Sequence, residues 1–110
     1  MTMTTQETAR ALAALGHEAR LEIFRLLVRA GQKGATVGDI ARHAGLPLST
    51  LNHHLAALVG AGLVTQEKQG RSVINRAAFA VMDDMIAFLT RECCAGLDAA
   101  GTTEPGDTAA

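Results

Sequence analysis

The sequence predicts a mostly α-helical domain with a single β-hairpin, in the order helix, helix, helix, helix, strand, strand, helix. Three observations point there. Of 110 residues 48% are hydrophobic, yet there are only three Phe and no Tyr or Trp, so Leu, Ile, Val, Ala and Met must build the core. That palette favours helices. Helical spacing recurs in segments that each end at glycine, and two short alternating runs, "LVTQEK" and "RSVIN", interrupt it before the last such segment.

Each element has a local reason. Thr4 and Glu7 have capping-box spacing, and Ala9, Leu12 and Leu15 follow before Gly16 stops the first helix. The second runs through "HEARLEIFRLLVRAG", with Glu18, Glu22, Arg25 and Arg29 as a polar stripe and Leu21, Phe24, Leu27 and Val28 outside it. The third starts at Thr36, whose hydroxyl caps toward Asp39, and ends near "HAG". "LPLSTLNHHLAALVGAG" is the fourth, closed by Gly60 and Gly62. The two alternating runs join through Gln69-Gly70 as a hairpin. "AAFAVMDDMIAFLTRECC" is the last helix, with Gly96 as its stop. Two short helices joined by "HAGLPLS" make a helix-turn-helix, and the hairpin behind them makes it winged.

A chain this short is expected to hold one domain, over residues 1–95, with a disordered acidic tail over 96–110. Net charge is −1, but the last sixteen residues carry three acids and no base, which leaves the body at +2. That balance permits nucleic-acid binding without arguing for it. The start lacks a secretory pattern, and the longest uncharged run, 43–66, is broken by Pro, Ser, Asn and His, so no membrane span is expected. Two adjacent cysteines make no disulfide framework, and a reducing cytoplasm is the expected setting.

The fourth helix carries the functional signal. On a helical wheel Leu51, Leu55 and Leu58 cluster with Leu48 near them, while Ser49, Asn52, His53 and Ala56 gather opposite. One half is held by a core, and the other offers short polar groups suited to base edges in a major groove. Ser49, Thr50, Asn52 and His53 are therefore candidate DNA contacts. His53 and His54 point about 100° apart and cannot readily share one metal ion. His53 is read as a DNA contact rather than a solvated surface residue, and His54 as a partly buried structural histidine. Lys68 and Arg71 flank Gly70 at the hairpin tip, where cations suit phosphate contact or minor-groove entry as readily as an ordinary exposed turn.

"ALGHEARLEIFRLL", "IARHAGLPLSTLNHHLAALVGAGLV" and "KQGRSVINR" resemble, in order and spacing over residues 10–94, the ArsR/SmtB family of bacterial repressors. The resemblance implies a winged helix-turn-helix homodimer built from the first and last helices. It also implies operator binding in the unliganded state and release when an ion or oxidant binds. The chain departs from the family at Asn52, where Ser is common, and in a wing less basic and less aromatic than usual, both of which leave the operator sequence open.

The family's sensor sites can be checked residue by residue. "GATVGDIA" in the third helix has no cysteine for an arsenic site of that type. The last helix has Asp83 and Asp84 but no histidine for a zinc site, and the adjacent cysteines do not match a separated persulfide-sensing pair. Cys93 and Cys94 remain. Phe79, Met82, Ile86, Leu89 and Cys93 follow the 3-4-3-4 spacing of a helix packed on a partner, so Cys93 also reads as the last residue of a seam. Cys94 lies off that seam. Two neighbouring thiolates are soft ligands for a thiophilic ion. The candidate inducer is trivalent arsenic, as arsenite or an organoarsenical, or antimonite. Thiol oxidation, another soft metal or no sensing at all stay open as alternatives. In a regular helix the two sulfurs diverge, so chelation by one chain would favour unwinding of the last turn, which Gly96 makes cheap. A vicinal disulfide would be strained.

No enzyme is expected. The chain has no Cys-x-x-Cys, phosphate loop, nucleophile elbow or paired catalytic carboxylate, and adjacent Asp83 and Asp84 read as solvated. No cofactor is required, and the partners implied are double-stranded operator DNA and a second copy of the chain.

Overall fold

The computed structural model describes residues 3–98; most of the acidic tail predicted over 96–110 lies outside them. The fold has helices α1 (Thr5–Leu15), α2 (Glu18–Ala30), α3 (Val37–Ala44), α4 (Leu48–Gly60) and α5 (Phe79–Thr90) and a three-stranded antiparallel sheet that packs on α2, α3 and α4. Strands β2 (Val64–Gln69) and β3 (Ser72–Ala77) form the hairpin, and β1 (Ala35–Thr36) adds a short third strand on the far side of β3. The winged helix-turn-helix is the observed architecture.

The helix starts follow their caps. Thr4 and Glu7 bond reciprocally at the head of α1, and Thr36 and Asp39 do the same at α3. Gly45, in the left-handed conformation, ends α3 and donates its N–H to Ala41 O at 2.9 Å, turning the chain toward α4. The core is aliphatic: Ile23, Leu27, Ile40, Leu51, Leu55, Leu58 and Leu63 are all fully buried.

Several sequence expectations need correction. The buried face of α1 is Thr8, Ala11 and Ala14, while Ala9 and Leu12 face outward. On α2 the core takes Ile23, Phe24 and Leu27, and Leu21 is exposed. Leu48 stands outside the buried leucine cluster of α4 at 55% exposure, while Leu51 in the same turn is fully buried. In the hairpin Gln69 pairs with Ser72, so the two-residue turn is Gly70-Arg71, one residue later than expected, with Gly70 at φ 62°. The last helix stops at Thr90, four residues short of the predicted Cys94.

The sheet holds the one fully buried polar side chain among the described residues, Asn75. Its Nδ2 donates to Ala35 O at 3.2 Å across to β1, and its Oδ1 accepts from Gln66 Nε2 at 2.9 Å across to β2. One carboxamide thus pins the middle strand to both neighbours. Among the described residues no helix is long and apolar enough to cross a membrane.

Candidate nucleic-acid interface

Helix α4 divides along its length into a bolted side and an offered side. Leu51, His54, Leu55 and Leu58 are buried against the core. Ser49, Thr50, Asn52, His53 and Ala56 are exposed, so every candidate contact on this helix reaches solvent. The first turn of α4 carries no acidic residue and no capping side chain, in contrast to α1 and α3. Its unpaired N–H groups therefore face outward with positive potential, a match for phosphate.

His54 takes the structural role expected of it. It is 7% exposed, and its Nδ1 accepts from Arg20 Nε on α2 at 3.3 Å. Accepting there places the ring proton on Nε2. Burial holds its pKa below 6.5, and the nearby charges of His17, Arg20 and His53 push it the same way. The His17 ring lies 4.8 Å from that of His54, while His17 Nδ1 accepts from Ala19 N as the N-cap of α2. The rings of His53 and His54 lie 5.8 Å apart at a 58° tilt. Among the described residues no group of three His, Cys, Asp or Glu side chains is placed to hold a metal ion. Arg20 is the functional neighbour the sequence reading missed. Its only signal was its place in the "GHEARLE" segment, because a contact 34 residues apart leaves no periodic trace.

The wing is built around a different arginine. Arg76 Nη1 donates to Glu67 Oε1 at 2.6 Å and its Nε donates to Gln32 O at 2.6 Å, tying the hairpin to the turn before β1. Hydrogen bonds from Arg76 and Gln69 keep the Glu67 carboxyl below the usual carboxylate range. Glu67 is thereby occupied, and Lys68 and Arg71 at the exposed tip have no acidic partner among the described residues. On α3, Arg42 is paired with Asp39, whose carboxyl is held low first by Thr36 and then by Arg42.

The two cysteines are brought together outside the helix. Thr90 Oγ1 bonds back to Ile86 O at 2.9 Å, Arg91 leaves the helical region at ψ 134°, and Glu92 and Cys94 adopt φ of 62° and 66°. Cys93 N still donates to Thr90 O at 3.0 Å, so the segment is a defined turn. Both cysteines are exposed and free, with Sγ atoms 3.0 Å apart. This reverses two expectations: Cys93 does not finish the α5 seam, and no unwinding is needed to make the sulfurs converge. The hydrogen bond with Cys94 raises the Cys93 thiol pKa.

A family model described as a helix-turn-helix domain matches residues 15–67, which run from the end of α1 into β2. The chain is 34% identical over 87 residues to the arsenical resistance operon repressor of Staphylococcus aureus, covering 79% of this chain and 81% of that one. It is similar to the solved structure of an ArsR-like transcriptional regulator from Rhodococcus sp. RHA1, at 31% identity and TM-score 0.67, over 78% of each chain. It is also similar to a homodimeric winged helix-turn-helix DNA-binding domain from Mycobacterium bovis, at 27% identity and TM-score 0.62, covering 86% of this chain and 94% of that one. With the fold, the offered face of α4 and these relatives in place, the chain belongs to the ArsR family of winged helix-turn-helix, DNA-binding transcriptional regulators.

Proposed function

We propose that this chain is a homodimeric repressor that holds its operator through α4 and the wing and is released when a trivalent arsenical bonds Cys93 and Cys94. The observation that carries the effector reading is the pair of exposed sulfurs 3.0 Å apart. The relative named as an arsenical resistance operon repressor supports it, and the homodimeric neighbour supports the two-fold assembly.

In this reading Ser49, Thr50, Asn52 and His53 face base edges, and Lys68 and Arg71 meet phosphate. The chemistry at the thiols is a condensation. A monosubstituted arsenical with two hydroxyls exchanges both for sulfur, forming two As–S bonds and releasing two waters that carry away the thiol protons. Arsenite would keep one hydroxyl or take a third sulfur from the partner subunit. The turn follows directly on α5, so locking it through two As–S bonds fixes the end of that helix and with it the spacing of the two recognition helices. Those must lie about 34–36 Å apart to meet successive major grooves. Oxidation of the same thiols is the second reading, favoured by their exposure and closeness.

Fluorescence anisotropy of labelled duplex from the chain's own upstream region tests all of this. Reduced protein is expected to bind with strong salt dependence and to release on adding the monosubstituted arsenical. Cys93→Ser and Cys94→Ser should each bind equally well and fail to release. Release by peroxide alone selects the oxidative reading, and retention under arsenite, the arsenical, zinc and peroxide alike would sink the sensing role. Arg71→Ala removes one phosphate contact from each wing and should lower the salt slope of the dimer by about two.

A further inference from the structure

Leu48 is the first residue of α4 and is 55% exposed, although Leu46 before it packs on the core and Leu51 after it is fully buried. A lone exposed leucine is ordinary; its location gives this one meaning. The N-terminal residues of a recognition helix are those that reach base edges. Leu48, Asn52 and Ala56 follow one another at intervals of four along α4, and all three are exposed. The interval is about 6 Å along the helix, close to two base-pair steps of about 3.4 Å. An apolar group therefore stands one turn from a carboxamide that can pair with adenine N6 and N7. The apolar feature a major groove presents is the C5-methyl of thymine.

We infer that Leu48 reads a thymine C5-methyl in each operator half-site, one or two base pairs from the position addressed by Asn52. This rests on α4 being the recognition helix. The leucine makes operator choice depend on a methyl group that hydrogen-bonding residues cannot detect.

The test replaces the thymines of the footprinted operator, one position at a time, with deoxyuridine, which deletes the methyl and keeps every hydrogen-bonding group. Wild-type protein is expected to lose about fourfold in affinity per half-site at one such position. Leu48→Ala should bind thymine and deoxyuridine duplexes equally, at the weaker level, with an unchanged circular dichroism spectrum because the side chain lies outside the core. Asn52→Ala should bind more weakly but keep the penalty. Wild type that binds operator yet ignores every replacement overturns the role of Leu48 and leaves α4 as the reader. A full penalty surviving in Leu48→Ala also overturns it, assigning the methyl to another side chain. Absence of any duplex binding overturns both readings together.

Discussion

His54 holds the recognition helix through a contact that works only while its ring is neutral. Protonation would turn the acceptor facing Arg20 into a second cation beside His17 and His53. The folded-state pKa lies below the ordinary 6.5, so the unfolded chain binds the proton more readily than the folded one. Stability is then fully present above about pH 6.5 and lost as pH falls through that value toward the folded pKa. Urea midpoints measured from about pH 7.5 down to about pH 5.5 should fall for wild type and fall less for His54→Gln, which keeps an acceptor that cannot titrate. Asn75 is the other single residue on which much depends. Asn75→Ala removes the partner of the buried Ala35 O, releases Gln66 Nε2 to solvent and leaves a gap in the sheet, and should cost about 1–3 kcal/mol in denaturant unfolding.

At the scale of elements, the backbone of the turn into β1 is as constrained as any side chain. Gly34 has φ +71°, and a Cβ there would lie 2.6 Å from Asn75 O and 2.8 Å from Ile74 Cγ2. Gly34→Ala should destabilise by about 2 kcal/mol or more and loosen β1 from β3, visible as faster amide exchange in the strand. The capping boxes, the anchored face of α4 and the hairpin were legible in the sequence because each is written within a few residues. β1 was not, since two residues carry no period and pair only with a strand some forty positions away. The buried face of α1 is not legible in the sequence for a related reason. Its helix packs through small residues, so Thr8, Ala11 and Ala14 lie inside while Leu12 does not, and hydrophobicity alone points the wrong way. The end of α5 was extended too far because apolar spacing continues through Cys93 and no glycine precedes it. The actual stop is made by Arg91, which turns to extended backbone, and by Glu92 and Cys94, whose positive φ side-chain-bearing residues adopt only infrequently. At the site, all six candidate DNA contacts proved exposed, and the cysteines proved close. The Arg20 contact that fastens the helix was beyond reach of any local pattern.

For the molecule as a whole, a row of apolar side chains on α5 packs on the core only at its start and is left open toward its end among the described residues. Phe79 and Met82 are half-buried, while Ile86 and Leu89 are 52% and 59% exposed. Leu12 on α1 is exposed as well. In the proposed dimer these residues cover one another. Leu89→Asp is expected to sediment as a monomer and to bind full operator about a hundredfold more weakly, since the second half-site no longer adds its share. A variant that stays dimeric would place the interface elsewhere.

The break between α5 and the thiol turn also bears on time. A sensor whose sulfurs must first be exposed by melting a helical turn answers no faster than that turn opens, however much effector is supplied. Here the sulfurs already face water 3.0 Å apart, beyond the last helical residue. Stopped-flow capture of a dithiol reagent should therefore accelerate in proportion to reagent concentration with no plateau. The promptness of the response would be set by how quickly the effector accumulates.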